Sequence, residues 1–158
     1  MKVVDGLKEQ FNFEIQSGYL YLSISAYFKS LDMNGFAHFM SKQAHEEFEH
    51  ATDFYNFLFA IGERPEFDKI DKPVSEFKGV VEAFSAALNH EILVTNRIEK
   101  LYGDAIEQNN YKVVEFLGKY IAEQVEEVDT FNSLVTRLER VNDNWGGLYI
   151  LDRELSAR

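Results

Sequence analysis

Four stretches of this chain repeat apolar residues at alternating intervals of four and three, and every repeat is broken by carboxyl or amide side chains at one level. In the second stretch the series is Phe36, Met40, Gln43, Glu47, His50, Phe54, Phe57 and Ile61. In the fourth it is Val113, Leu117, Tyr120, Gln124, Glu127, Phe131, Leu134, Leu138 and Val141. The third runs Phe84, Ala87, Glu91, Val94, Ile98, Leu101, Ala105, and the first Leu7, Phe11, Glu14, Gly18, Tyr21, Ser25, Phe28. Sustained spacing of this kind is a helix with one face against partners. Four such helices predict an all-α four-helix bundle. The spacing predicts helices over about 3–33, 36–61, 78–108 and 111–141, with a short tail helix over 148–156.

Both prolines, Pro65 and Pro73, fall between the second and third helices, so 62–77 is the one long loop. A helix of about 28 residues is about 42 Å long. Sixteen extended residues reach about 50 Å. The loop can therefore cross the full length of the bundle and join two antiparallel hairpins. With 158 residues and 46% hydrophobic composition, the chain has material for a single core-forming domain over 1–158. The tail helix, with Leu148, Tyr149, Ile150, Leu151 and Leu155, is too short to stand alone and must pack on its own bundle or on a neighbouring copy.

Composition narrows the chemistry. The formal charge of −11 argues against nucleic acid or an anionic membrane as partner. No uncharged run is long enough for a membrane span, and no apolar stretch near Met1 reads as a signal peptide, so a cytoplasmic protein is expected. With no cysteine, disulfides, Fe–S clusters and Cys-ligated zinc are excluded, and a metal must be held by His and carboxylates.

The polar breaks supply such a set. Glu14, Glu47, His50, Glu91, Gln124 and Glu127 all sit near helix middles. Glu14 to Glu47 is 33 residues, Glu91 to Gln124 is also 33, and His50 and Glu127 each follow three later. A shift of 77 superposes the two halves, mapping Glu14 on Glu91, Glu46 on Glu123, Glu49 on Glu126 and His50 on Glu127. Residues three apart share a helix face, so each pair can grip one centre. Converging buried glutamates repel one another and raise their pKa values unless a cation holds them. A carboxylate-rich set with one imidazole suits Fe, Mn or Zn. A metal-free network of buried glutamates and glutamine is the alternative on the residues alone.

In FNFEIQSGYLYLSISAYF, QAHEEFEHA, NHEILVTNRI, YIAEQVEEVDTF and the tail GGLYILDREL, the chain resembles prokaryotic haem-free ferritins over nearly its whole length. The resemblance implies a ferritin-like bundle with one long crossover and a short fifth helix. It also implies a ferroxidase that oxidises Fe(II) with O2 or peroxide and stores ferric oxide in a cage of 24 subunits. One iron would be held by Glu14, Glu47 and His50, the second by Glu47, Glu91 and Glu127 with Gln124 close by. A third position would use Glu46, Glu123 and Glu126 and share Glu127. Tyr21 matches a tyrosine beside the centre, a donor or a one-electron source. Phe48 stands where haem-bearing relatives place a ligating Met, so no haem is expected. Lys119 replaces a Trp found in many ferritins, and Glu49 is an extra acid that either tunes the third position or faces solvent. His38, His45 and His90 are expected at the surface or behind the ligands. The competing functions are a dimetal peroxide scavenger with little storage and a non-catalytic structural bundle.

Overall fold

The computed structural model describes residues 1–158 and contains five helices and no strands. They are α1 (Val3–Ser30), α2 (Asn34–Ala60), α3 (Val80–Glu107), α4 (Tyr111–Val141) and α5 (Trp145–Leu155). Asn and Asp set the breaks after α1, α3 and α4, and Gly62, also at positive φ, follows α2. Asp32, Asn109, Asn142 and Asp143 all take positive φ, a conformation these short polar residues tolerate best after glycine. Asp32 ends α1 at Ser30, before position 33. The Asn110 side chain accepts from the Val113 N–H to start α4, and Asn144 accepts from the Gly147 N–H to start α5. The Asn144 cap carries the fifth helix through Gly146-Gly147, so it begins at Trp145 rather than at the expected position 148.

The first two helices pair lengthwise, as do the last two of the bundle, and α1 also contacts α3. The start of α1 lies at the end of α3, where the Val3 N–H donates to Gln108 Oε1 at 2.8 Å. The segment between α2 and α3 then travels back along α1. Lys8 pairs with Glu63 and Glu66. Asn12 donates to the Glu66 carbonyl at 2.7 Å and accepts from the Asp68 N–H at 3.0 Å. Ser23 donates to the Val74 carbonyl, and Phe77 packs edge-on to Tyr27. The crossover is thus fastened near both ends of the helix it follows.

Two apolar clusters fill the bundle. One gathers Tyr21, Phe28, Phe36, Phe84, Phe131 and Leu138. The other gathers Leu7, Phe54, Ile98, Leu117 and Tyr120. Between them lie buried Glu14, Gln43, Glu47, Glu91 and Gln124. Full burial of each large apolar side chain contributes about 1.5–3 kcal/mol, so the plugs on either side offset the cost of this polar slab.

Two glycines permit close approaches. A Cβ on Gly18 would stand 2.4 Å from the Phe48 ring, and one on Gly35 would stand 1.7 Å from the Asp152 carbonyl oxygen. The second approach docks α5 on its own bundle. Asp152 accepts from the Phe36 N–H at 2.8 Å, and Leu148, Leu151 and Leu155 are buried. Trp145, Tyr149 and Ile150 remain exposed. No helix is long and apolar enough to cross a membrane.

Candidate metal centre

Helix periodicity places Glu14 on α1, Glu47 and His50 on α2, Glu91 on α3, and Gln124 and Glu127 on α4, all turned toward the bundle axis. Glu14, Glu47 and Glu91 are at most 2% exposed. Glu14, Glu47 and His50 each offer a ligand atom within 4.8 Å of the others, the only such trio in the chain. His50 Nδ1 lies 3.4 Å from Glu47 Oε2 and 3.9 Å from Glu14 Oε2.

The two oxygens of each carboxylate are used differently. Glu14 Oε1 accepts from Gln10 Nε2 at 2.9 Å, and Glu47 Oε1 accepts from Gln43 Nε2 at 3.1 Å. Glu14 Oε2 and Glu47 Oε2 are buried with no hydrogen-bond partner. A buried acceptor left open costs about 1–3 kcal/mol, more when charged. Two of them beside an imidazole nitrogen fit a divalent cation with hard oxygen and nitrogen ligands.

Glu91 is occupied on both sides. Its Oε1 accepts from Tyr21 OH at 2.5 Å, and its Oε2 from Gln124 Nε2 at 3.0 Å. Glu127 Oε2 accepts from Gln43 Nε2 at 3.2 Å, and the same amide stands 3.5 Å from Glu91 Oε1. One buried glutamine therefore links Glu47, Glu91 and Glu127.

Charge is balanced by protons. Burial pushes Glu47 well above the usual carboxylate range, and the neighbouring Glu14 charge adds to that. Burial acts on Glu14 in the same sense, but His50, Glu47 and Gln10 together hold it below the usual range. Burial opposes a charged His50, yet Glu14 and Glu47 outweigh it and raise the ring to about 11. Burial lifts Glu91, and lifts Glu127 to about 7 with help from Glu91 and Glu46. Tyr21 is held neutral by burial and by Glu91.

The third expected set does not gather. Glu46 pairs with Arg158 at 3.0 Å, and Glu123 pairs with His50 Nε2 at 3.1 Å. Glu126 is exposed and shares a small surface hollow with Glu127, Gln43 and Arg158. Glu49 faces solvent, paired with His45. Lys119 and Tyr120 both contact Asp53, and the Tyr120 ring stands edge-on to His50. His90 lies behind the ligands, hydrogen-bonded to Ser17 at 2.7 Å and stacked on Phe13. Burial and Arg97 lower it to about 4 against the pull of Glu14. Gln10 was not among the expected site residues, and Gln43 figured only as a seam position. Their own 33-residue separation, the same as Glu14 to Glu47, is the signal that marks them.

A family model described as a ferritin-like domain matches residues 4–141. The chain is 35% identical over 156 residues to a bacterial non-heme ferritin of Staphylococcus haemolyticus, covering 99% of this chain and 94% of that protein. It is 32% identical over 156 residues to one of Escherichia coli, with the same coverage. Among solved structures, an open pore ferritin from the hyperthermophilic archaeon Archaeoglobus fulgidus superposes with a TM-score of 0.97 at 37% identity, covering 100% of this chain and 98% of that one.

Proposed function

The chain belongs to the ferritin family, and on that premise we propose that it is an iron-storage ferroxidase whose substrate is Fe(II). Two buried carboxylate oxygens without a partner, Glu14 Oε2 and Glu47 Oε2, carry this reading, because they converge with His50 Nδ1 on one point. The first Fe(II) takes Glu14, Glu47 and His50. The second takes Glu91 and Glu127, with Glu47 bridging and Gln124 beside it. Two Fe(II) together supply two electrons, enough to reduce O2 to hydrogen peroxide or hydrogen peroxide to water. The protein's part is to hold the pair together and to move protons. His50 and Glu47 release theirs when metal arrives, and Glu127, near neutral in its titration, can take one up or give it away. Tyr21 orients Glu91 and stays protonated while it does so.

Storage as ferric oxide requires a closed space, which we assign to a cytoplasmic homo-oligomer of 24 subunits. The exposed Trp145, Tyr149 and Ile150 on α5 are suited to contacts between copies. Glu46, Glu123, Glu126 and Glu127 remain the candidate third position, and its occupation requires Arg158 and His50 to release Glu46 and Glu123.

The test is the mass of the native particle before and after aerobic Fe(II) loading. A cage-sized particle that gains an electron-dense core is expected. A particle that oxidises Fe(II) with peroxide but gains no core is instead a scavenger. Glu47→Ala should keep the assembly and lose rapid oxidation, and unchanged oxidation in that variant would remove the bridging role.

A further inference from the structure

Two arginines far apart in sequence make the same contact on opposite sides of the buried carboxylates. Arg97 Nε donates to Gln10 Oε1 at 2.8 Å, and Gln10 Nε2 donates to Glu14 Oε1 at 2.9 Å. Arg158 Nη2 donates to Gln43 Oε1 at 2.8 Å, and Gln43 Nε2 donates to Glu47 Oε1 at 3.1 Å. Each guanidinium lies over a phenylalanine ring, Arg97 on Phe13 at 4.1 Å and Arg158 on Phe39 at 4.4 Å. Both glutamines are fully buried.

A glutamine amide has an acceptor end and a donor end of nearly equal size. Turned the wrong way, its oxygen would face the carboxylate, oxygen against oxygen. The arginine removes that choice by demanding the oxygen for itself. The Gln10 N–H₂ then faces Glu14, and the Gln43 N–H₂ faces Glu47 together with Glu127 and Glu91, so Glu14 and Glu47 are each tied by one oxygen. The oxygens left over are Glu14 Oε2 and Glu47 Oε2, the two without partners. No such arrangement exists in the second half of the chain, where the positions 77 residues after Gln10 and Gln43 are Ala87 and Tyr120.

We propose that Arg97 and Arg158 are positioning residues for metal binding, acting through Gln10 and Gln43 to aim one oxygen each of Glu14 and Glu47 into the metal site. The proposal rests on the metal-binding reading given above. It makes a prediction of unusual sign. A positive charge near a cation site opposes cation binding. Removing an arginine should therefore tighten the site by charge alone. If positioning dominates, removal weakens it.

The test uses the assembled, metal-free protein and two probes, Zn(II) by calorimetry and Co(II) by its visible absorption. Arg97→Met and Gln10→Met are each expected to weaken the first equivalent about ten-fold, the usual scale for groups that orient a ligand from behind. They are also expected to alter the Co(II) band, which reports ligand geometry. In the double variant the second substitution should add less than about two-fold, because the arginine has lost the group it acts through. Arg158→Met and Gln43→Met should each weaken the first equivalent in the same sense through Glu47, while Arg158→Met also frees Glu46 and Gln43→Met also frees Glu127. Arg97→Lys keeps a donor and an alkyl stem over Phe13 and should hold affinity within about two-fold. It also carries the test should Arg97→Met fail to fold. Tighter binding in the arginine variants, additive losses in the double variants, or an unaltered Co(II) band would overturn the positioning role while leaving the metal site in place. Wild-type protein that binds neither probe would overturn the metal-binding reading and this inference with it.

Discussion

Loading the first site should exchange one divalent ion for two protons. In the metal-free protein Glu14 is held below the usual carboxylate range, Glu47 is raised well above it, and the His50 ring is raised to about 11, a combination that favours one proton on His50 and one on Glu47. The trio is then neutral. With a divalent ion, two carboxylates and a neutral imidazole, it is neutral again. Metal binds only the deprotonated ligands, so affinity rises with pH, and each proton displaced contributes about ten-fold per pH unit. Two protons give about a hundred-fold per unit, or about 2.7 kcal/mol. The window follows the raised values: the Glu47 proton contributes above the ordinary carboxylate range until that group itself titrates, and the His50 proton contributes until about 11, so the dependence is steepest toward the acid side. The assay is calorimetric titration of metal-free protein with Zn(II) between pH 6 and 7.5, repeated in buffers of different ionisation enthalpy to count protons released. Glu47→Gln fills the same space without an exchangeable proton, so its dependence should fall to about ten-fold per unit. Binding that is independent of pH, or release of no proton in wild type, would refute the charge assignment of the trio.

Two further substitutions probe the surroundings. Tyr21→Phe removes a buried hydrogen bond to a carboxylate and should cost the metal-free protein about 1–3 kcal/mol, seen as a lower melting temperature. An unchanged melt would mean that the contact does not hold Glu91 in solution. Gly35→Ala drives a methyl into the Asp152 carbonyl, and the resulting overpacking should cost about 1–3 kcal/mol. Hydrogen exchange should show the α5 amides losing protection first, and retained protection there would place the strain elsewhere.

Much of this was legible in the sequence because period and spacing are local properties. A four-three rhythm fixes helix and face together, so the bundle and the inward turn of Glu14, Glu47, His50 and Glu91 follow from it. Helix ends were less legible. Asp32 and Asn144 act through a left-handed turn and a capping bond, which shifted the end of α1 and the start of α5 by about three residues, a usual margin for such boundaries. The Arg97 and Arg158 contacts could not be read at all, since they join residues 87 and 115 positions apart. The same holds for the surroundings of the third set. Spacing assigns Glu46 and Glu123 to a face but says nothing of the cations that Arg158 and His50 bring to them.

The fastened crossover has a consequence for how the chain could be cut. Residues 69–72 are exposed, and they lie between the anchor at Asn12 and the anchor at Ser23. A break there yields two fragments, each a helical hairpin still carrying its own piece of the strap. One fragment would hold Glu14, Glu47 and His50, the other Glu91, Gln124 and Glu127. Neither owns the whole of the proposed dinuclear site, so complementation of the fragments should be driven by ferrous or zinc ions, and a chelator should pull them apart.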